Sequence, residues 1–383
     1  MTAKELPAGR PRPLAKAGAF ALAAALTCSL SFPSVALAAV RIDQTELSSG
    51  ENAIGGGTAT LADAVLDLSD VVAEDFFTDE NLTVNFNGGN EIDAVGIGGS
   101  AEVTLNFAGE NEVEDIVATE NADVTINANG CNEFEDVEAF ADASITINVT
   151  GENDFESIEG TDNASITVKG TTCQKRDTVN LGDDEDDSCL ATLDGDLVID
   201  HATVNLQSES AIVGSVGGNV RIDTAKIAQD DGNEYAYITA GDTLEVSESV
   251  IEITGTIHSV GEMTVEHSDI DATKPDQKFH DDSPYRVFSE TGIELVREEN
   301  GKVAKGMSGA PEGEEVFFVD TGDGDDVKLK AAGEPAYYRC ADDRQSEALP
   351  KTGDAGDPSW LAIAAFGSIA AAAFALSRRR EDS

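Results

Sequence analysis

The sequence predicts an all-β chain built as a right-handed parallel β-solenoid (β-helix) with coils of about 21 residues. Three observations carry that expectation. Apolar residues recur at every twenty-first position, in the column Leu82, Val103, Val124, Ile145, Ile166 and again two places on in Val84, Leu105, Ile126, Ile147, Val168. Within each copy apolar and polar residues alternate, as in Leu82-Thr83-Val84-Asn85-Phe86, which is the period of a strand. Each copy then reaches a Gly-x-Asn corner, Gly88/Asn90 through Gly151/Asn153, and a second apolar set begins at Ile92, Val113, Phe134 and Phe155. A repeat in the twenties is the signature of a solenoid. One such coil cannot bury its apolar face alone, but stacked coils can, with every strand parallel to the one below. Parallel connections are right-handed.

Taken in order, residues 1–38 form a signal peptide. Arg10, Arg12 and Lys16 supply the positive region, an apolar run follows, and Ala36-Leu37-Ala38 is a small-x-small cleavage site. Residues 39–80 keep no clear register and read as an N-terminal cap or first coil, which a solenoid needs to cover its open edge. The solenoid is expected over 81–275, interrupted by an insertion at 171–190. Beyond it Gly195-Asp196-Leu197, Gly218-Asn219-Val220, Asp242-Thr243-Leu244 and Gly261-Glu262-Met263 open successive coils with a looser motif. Eight to ten coils at about 4.8 Å each give a rod roughly 40–50 Å long. Lys274-Pro275 is expected to end the repeat, leaving 276–340 as a small β unit or C-terminal cap. Residues 341–353 are linker and motif, and 354–383 a membrane-spanning tail.

The formal net charge is −50, and between residues 40 and 170 the basic residues are Arg41 and Lys169. Such a surface repels nucleic acid and anionic membranes. Export favours oxidised thiols, so Cys173 and Cys189, which bracket the insertion, are the expected disulfide. Cys131 and Cys340 are left unassigned.

Two sets of columns are candidate binding features. Thr83, Thr104, Thr125 and Thr146 beside Asn85, Asn106, Asn127 and Asn148 would form a polar lattice able to hydrogen-bond a carbohydrate. Glu91, Glu112, Glu133 and Asp154 share one acidic column, Asp93, Glu114, Glu135 and Glu156 another, and Asp115 and Asp136 a third. Stacked carboxylates repel unless screened or bridged, and calcium, a hard cation, is the expected extracellular ligand.

The tail carries the most specific motif. Leu349-Pro350-Lys351-Thr352-Gly353 is followed by a polar spacer, an apolar stretch from Trp360 to Leu376, and Arg378-Arg379-Arg380. Apolar length, an outer Trp and inner Arg fit a membrane span. The arrangement resembles the sorting signal of Gram-positive LPXTG cell-wall-anchored proteins. The resemblance implies transient membrane insertion, attack by a sortase thiolate on the Thr352 carbonyl, release of Gly353 onward, and transfer to an amine of the peptidoglycan precursor. The chain would then be the substrate of that chemistry, covalently held in the wall at the cell surface.

The rod is similar in architecture to the pectate-lyase-like right-handed β-helices, many of them lyases or hydrolases. The repeat offers almost no basic residues for proton abstraction or uronate neutralisation. The expectation is a non-catalytic adhesin or carbohydrate-binding rod, with glycans or host matrix as partners. The alternatives are a structural spacer or pilin-like wall protein and, less favoured, a polysaccharide lyase or hydrolase.

Overall fold

A computed structural model describes residues 40–170, 177–182, 187–229, 235–274, 285–305, 316–322 and 326–338. The signal peptide and the LPKTG tail lie outside these residues. The described chain is a β-solenoid of about nine turns.

Each coil presents three faces. Face I holds the strands Leu82–Asn87, Glu102–Gly109, Asp123–Gly130, Ser144–Thr150 and Ser165–Gly170. They pair in parallel with the columns in strict register, Thr83 on Thr104 and Asn85 on Asn106, then upward without a slip. The next strands, Glu91–Ile97, Glu112–Ala118, Glu133–Ala139 and Glu152–Gly160, also stack in parallel. Each bends midway, because the pairing skips Glu114 and Glu135. The bend divides them into face II, up to Phe134, and face III, from Asp136. Farther along, the same bend opens fully. Glu152–Gly160 pairs with Thr178–Leu181 through its first half and with Asp187–Thr192 through its second. The loop at 207–209 enters at that corner.

Alternation places Leu82, Val84 and Phe86 inward, buried, with Thr83 and Asn85 outward and half-buried. The core is continuous along the rod. Phe86 stacks on Phe107 at 4.2 Å and Phe134 on Phe155 at 4.7 Å, with Phe107 edge-on to Phe134 at 5.0 Å.

The first corner explains the change of motif. Gly130 and Gly151 stand at φ +117 and +91, and a Cβ on either would lie 2.8 or 2.7 Å from the glycine carbonyl one coil earlier. Only glycine fits there. In later coils the corner shortens to one left-handed residue: His201, Thr224, Glu248, His267 and Arg297, at φ between 50 and 63. L-residues can occupy that region, so the Gly column disappears without loss of the fold.

The structure moves two expected boundaries. The parallel stack begins before residue 81, since Val65–Ser69 and Val72–Thr78 already pair in register with Leu82–Asn87 and Glu91–Ile97. The N-terminal cover is smaller: Gly50–Ile54 and Gly57–Ala62 close face I as an antiparallel hairpin, and Arg41–Ile42 lies antiparallel on Val72–Thr78. Nor does the repeat end at residue 275. Val287–Ser289 stacks in parallel on Val250–Ser259 and Gly292–Val296 on Glu262–Glu266, one further coil. Residues 275–284 lie outside the described residues. The end is then closed by antiparallel strands, Phe317–Asp320 on Val287–Ser289 and Val327–Leu329 on Asp269–Thr273.

Candidate functional site

Face I carries the polar lattice. Thr83, Thr104, Thr125 and Thr146 point outward in one line, and Asn85, Asn106, Asn127 and Asn148 in the next. The asparagines form an amide ladder: Asn148 Nδ2 donates to Asn127 Oδ1 at 2.8 Å, Asn127 to Asn106 at 2.7 Å, and Asn106 to Asn85 at 2.8 Å. Asn85 closes the series by donating to the Asp67 carboxylate at 2.7 Å, so an anion terminates the donor end of the aligned dipoles. The ladder consumes one N–H and one lone pair of each interior amide. A second N–H and a second lone pair remain on each. A shallow groove of about 390 Å³ follows the threonine line, walled by Asn81, Glu102 and Asp123.

A second asparagine column is not part of any surface. Asn90, Asn111, Asn132 and Asn153 are at most 3% exposed. Asn90 Nδ2 donates to Asn111 Oδ1 at 2.8 Å, Asn111 to Asn132 at 2.9 Å and Asn132 to Asn153 at 2.8 Å. Oxygens of this column also receive corner backbone N–H groups: Asn111 Oδ1 from Asn90 and Asn153 Oδ1 from Asn132, each at 3.3 Å, and Asn90 Oδ1 from Val71 at 3.0 Å. In sequence the two columns look alike; what separates them is that the Asn90 column follows the left-handed glycine and turns inward.

The acidic columns are aligned as expected but do not make the expected calcium site. Glu91, Glu112, Glu133 and Asp154 are exposed and stacked in register on face II. Asp93, Glu114, Glu135 and Glu156 sit on the bend, outside the ladder, and burial, then the charges of Glu114 and Glu156, raises the Glu135 carboxyl. Among the described residues no group of three or more His, Cys, Asp or Glu side chains is placed to hold a metal ion. The physical reason is the stacking itself. Calcium takes six to eight oxygens at 2.3–2.6 Å, whereas a column of parallel side chains at strand spacing points its oxygens the same way. Asp154 instead accepts from Asn180 Nδ2 at 2.7 Å.

Face III holds an acidic cluster that the sequence reading did not assemble in full. Asp115 pairs with Asp136, and Glu138 with Glu159, on adjacent strands. Burial first, then the charges of Asp136, Asp115 and Glu159, pushes the Glu138 carboxyl up to about 7. Burial also raises Asp115 and Glu159. The signal was present in the 21-residue spacing of Glu138 and Glu159.

Of the expected Cys173–Cys189 bridge, Cys173 lies outside the described residues. Cys189 is a free thiol whose Sγ donates to Glu159 Oε1 at 2.6 Å, and burial followed by that carboxylate pushes its thiol well above the usual range. It lies on a face III strand that pairs with Glu152–Gly160. Cys173 and Cys340 lie outside the described residues; Cys131 is free and exposed.

Fold and motif together define a solenoid carried on the bacterial surface by its C-terminus. The LPXTG cell wall anchor motif family model matches residues 345–383, which contain Leu349-Pro350-Lys351-Thr352-Gly353. The motif marks a sortase substrate joined to peptidoglycan at the cell surface. No curated protein and no solved structure matches the chain. Among the described residues no helix is long and apolar enough to cross a membrane; the stretch Trp360–Leu376 lies outside them.

Proposed function

We propose that the protein is a non-catalytic adhesin, a wall-attached rod that binds carbohydrate through the threonine and asparagine lines of face I. The observation that carries this reading is the ladder from Asn148 to Asp67, which fixes four outward amides in one orientation and leaves each with hydrogen-bonding capacity. Pre-set donors and acceptors cost little ordering on binding. The same pair of side chains repeats coil after coil, which suits repeated contacts along a polymer and not a single reacting centre. Calcium has no role in this reading.

The test is binding of the mature ectodomain to a broad glycan and host-matrix array, with and without chelator, beside a Thr104→Val, Asn106→Ala, Thr125→Val variant. Selective binding to a neutral glycan, unaffected by chelator and lost in the variant, is expected. Binding that survives in the variant moves the site off face I. No selective binding in any condition replaces the adhesin with a structural spacer.

A further inference from the structure

The last described segment does not leave the rod at its end. From Val327–Leu329, which lies antiparallel on Asp269–Thr273, the chain turns back along the solenoid. Ala331 N donates to Asp269 Oδ1 at 3.1 Å and Lys330 Nζ to Asp269 Oδ2 at 2.6 Å. Ala332 N donates to the Arg297 carbonyl at 2.7 Å. The chain then passes Gly333, beside the His267 ring, and reaches Glu248. There Ala336 N donates to Oε2 at 2.7 Å and Tyr337 N to the backbone carbonyl at 3.1 Å. Finally the Tyr337 hydroxyl meets Thr203 Oγ1 at 2.8 Å, with both residues 7% exposed.

Arg297, His267, Glu248, Thr224 and His201 are successive corners of the solenoid. The segment therefore runs back across about four coil steps, roughly 19 Å. Its packing also explains why Val250, in the outward column between Lys226 and Asp269, is 1% exposed.

We propose that residues 326–338 are a latch that moves the wall tether from the end of the rod to its flank. The sorting motif follows Tyr338 through one short linker. With the latch closed, tension between the N-terminal cap and a wall-bound Thr352 enters near Thr203 and Glu248. The coils beyond, through Gly292–Val296, stand outside the load path. With the latch open, tension enters at Val327–Leu329, the closing strand held antiparallel on Asp269–Thr273. A strand at the end of a stack opens its bonds one at a time, and each coil is held only by its neighbour. The latch thus protects the C-terminal coils from unravelling. The inference does not depend on what face I binds.

The test is force spectroscopy on the mature chain, joined to a surface by sortase at Thr352 and pulled from an N-terminal handle. The native chain is expected to give a first extension as residues 331–338 leave the flank, roughly 45 Å from the reach of the extended segment and the distance it had doubled back, before any coil opens. In Thr203→Val, Glu248→Ala this step falls to lower force or vanishes, and coil-sized steps begin earlier. Equal first-step forces in native and variant chains, or a coil-sized first step in the native chain, would overturn the proposal. A second measurement covers a variant that folds poorly. Chymotrypsin cleavage after Tyr337 and Tyr338 is slow in the native chain and about tenfold faster in Thr203→Val alone, the factor expected for a buried hydrogen bond. Rapid native cleavage there excludes a closed latch.

Discussion

Asn111→Ala is the sharpest test of how the rod is held together. Asn111 is 3% exposed and sits in the middle of the inner ladder. Its Oδ1 receives Asn90 Nδ2 at 2.8 Å and Asn90 N at 3.3 Å, and its Nδ2 donates to Asn132 Oδ1 at 2.9 Å. Truncation leaves buried groups of two neighbouring coils without those partners, at about 1–3 kcal/mol each. Asn90 Nδ2 keeps the Asn87 carbonyl at 3.3 Å, so two groups are left bare and a total of about 2–6 kcal/mol follows. Asn106→Ala removes the same number of ladder bonds, to Asn85 and Asn127, but from a half-buried outer face where water replaces them. Its cost is under about 1 kcal/mol. Urea unfolding of the mature ectodomain, followed by far-ultraviolet circular dichroism, reads both as shifts in midpoint at unchanged slope. Equal costs for the two variants, or a cost below about 1 kcal/mol for Asn111→Ala, would refute the division of labour between inner and outer columns.

Other outcomes follow from the carboxylates and thiols. Glu138 is raised from 4.5 to about 7 in the folded chain, so the folded state holds a proton that the unfolded state has lost. This contribution is complete below about 4.5 and vanishes as pH rises through 7. The melting temperature therefore falls between pH 5 and pH 8, and Glu138→Gln flattens that slope; a melting temperature that rises over this range would exclude it. Glu298, raised to about 7 chiefly by burial, acts in the same direction. Because no group of three or more His, Cys, Asp or Glu side chains among the described residues is placed to hold a metal ion, calcium raises the melting temperature no more than sodium of equal ionic strength, and a calcium-specific rise would show chelation that the geometry does not provide. A maleimide under native conditions labels the exposed Cys131 and leaves Cys189 unmodified until the rod unfolds; mass analysis of the peptides decides.

Much of this was legible because a solenoid writes its contacts into the chain. Residues 21 apart are neighbours in space, so the Thr83 and Asn85 columns, the core of Leu82 and Val84, and the stacked acids of face II follow from the period alone. What the period does not encode is direction. Asn90 and Asn85 recur with equal regularity, yet one turns inward after a left-handed glycine and the other outward on a strand. The bend at Glu114 was invisible for a related reason: the residue keeps its column while dropping out of the ladder. The expected end of the repeat is overtaken because one more coil, Val287–Ser289 and Gly292–Val296, stacks after Pro275 in the chain. The returning segment from Ala331 to Tyr337 has no period at all. Its contacts, such as Tyr337 with Thr203, join residues far apart in the chain, which a column reading cannot find.

The charge distribution narrows what face I can hold on the proposed reading. From residue 40 to 170 the cations are Arg41 and Lys169, and Lys169 takes the place where the asparagine line would continue after Asn148. A ligand lying along Asn85 to Asn148 therefore meets neutral amides and hydroxyls, bordered by Glu102 and Asp123. A polyanion would be repelled by that border with no basic residue to offset it. Neutral hydrogen bonds at an exposed face are individually weak, about 1 kcal/mol each. Useful affinity then has to come from several coils engaging one chain at once, each contact raising the effective concentration for the next. The inner asparagine ladder is what makes this affordable structurally, because it carries the corner's hydrogen bonds and leaves the outer amides available. Removing a single outer amide should weaken binding modestly, and removing alternate ones should abolish it.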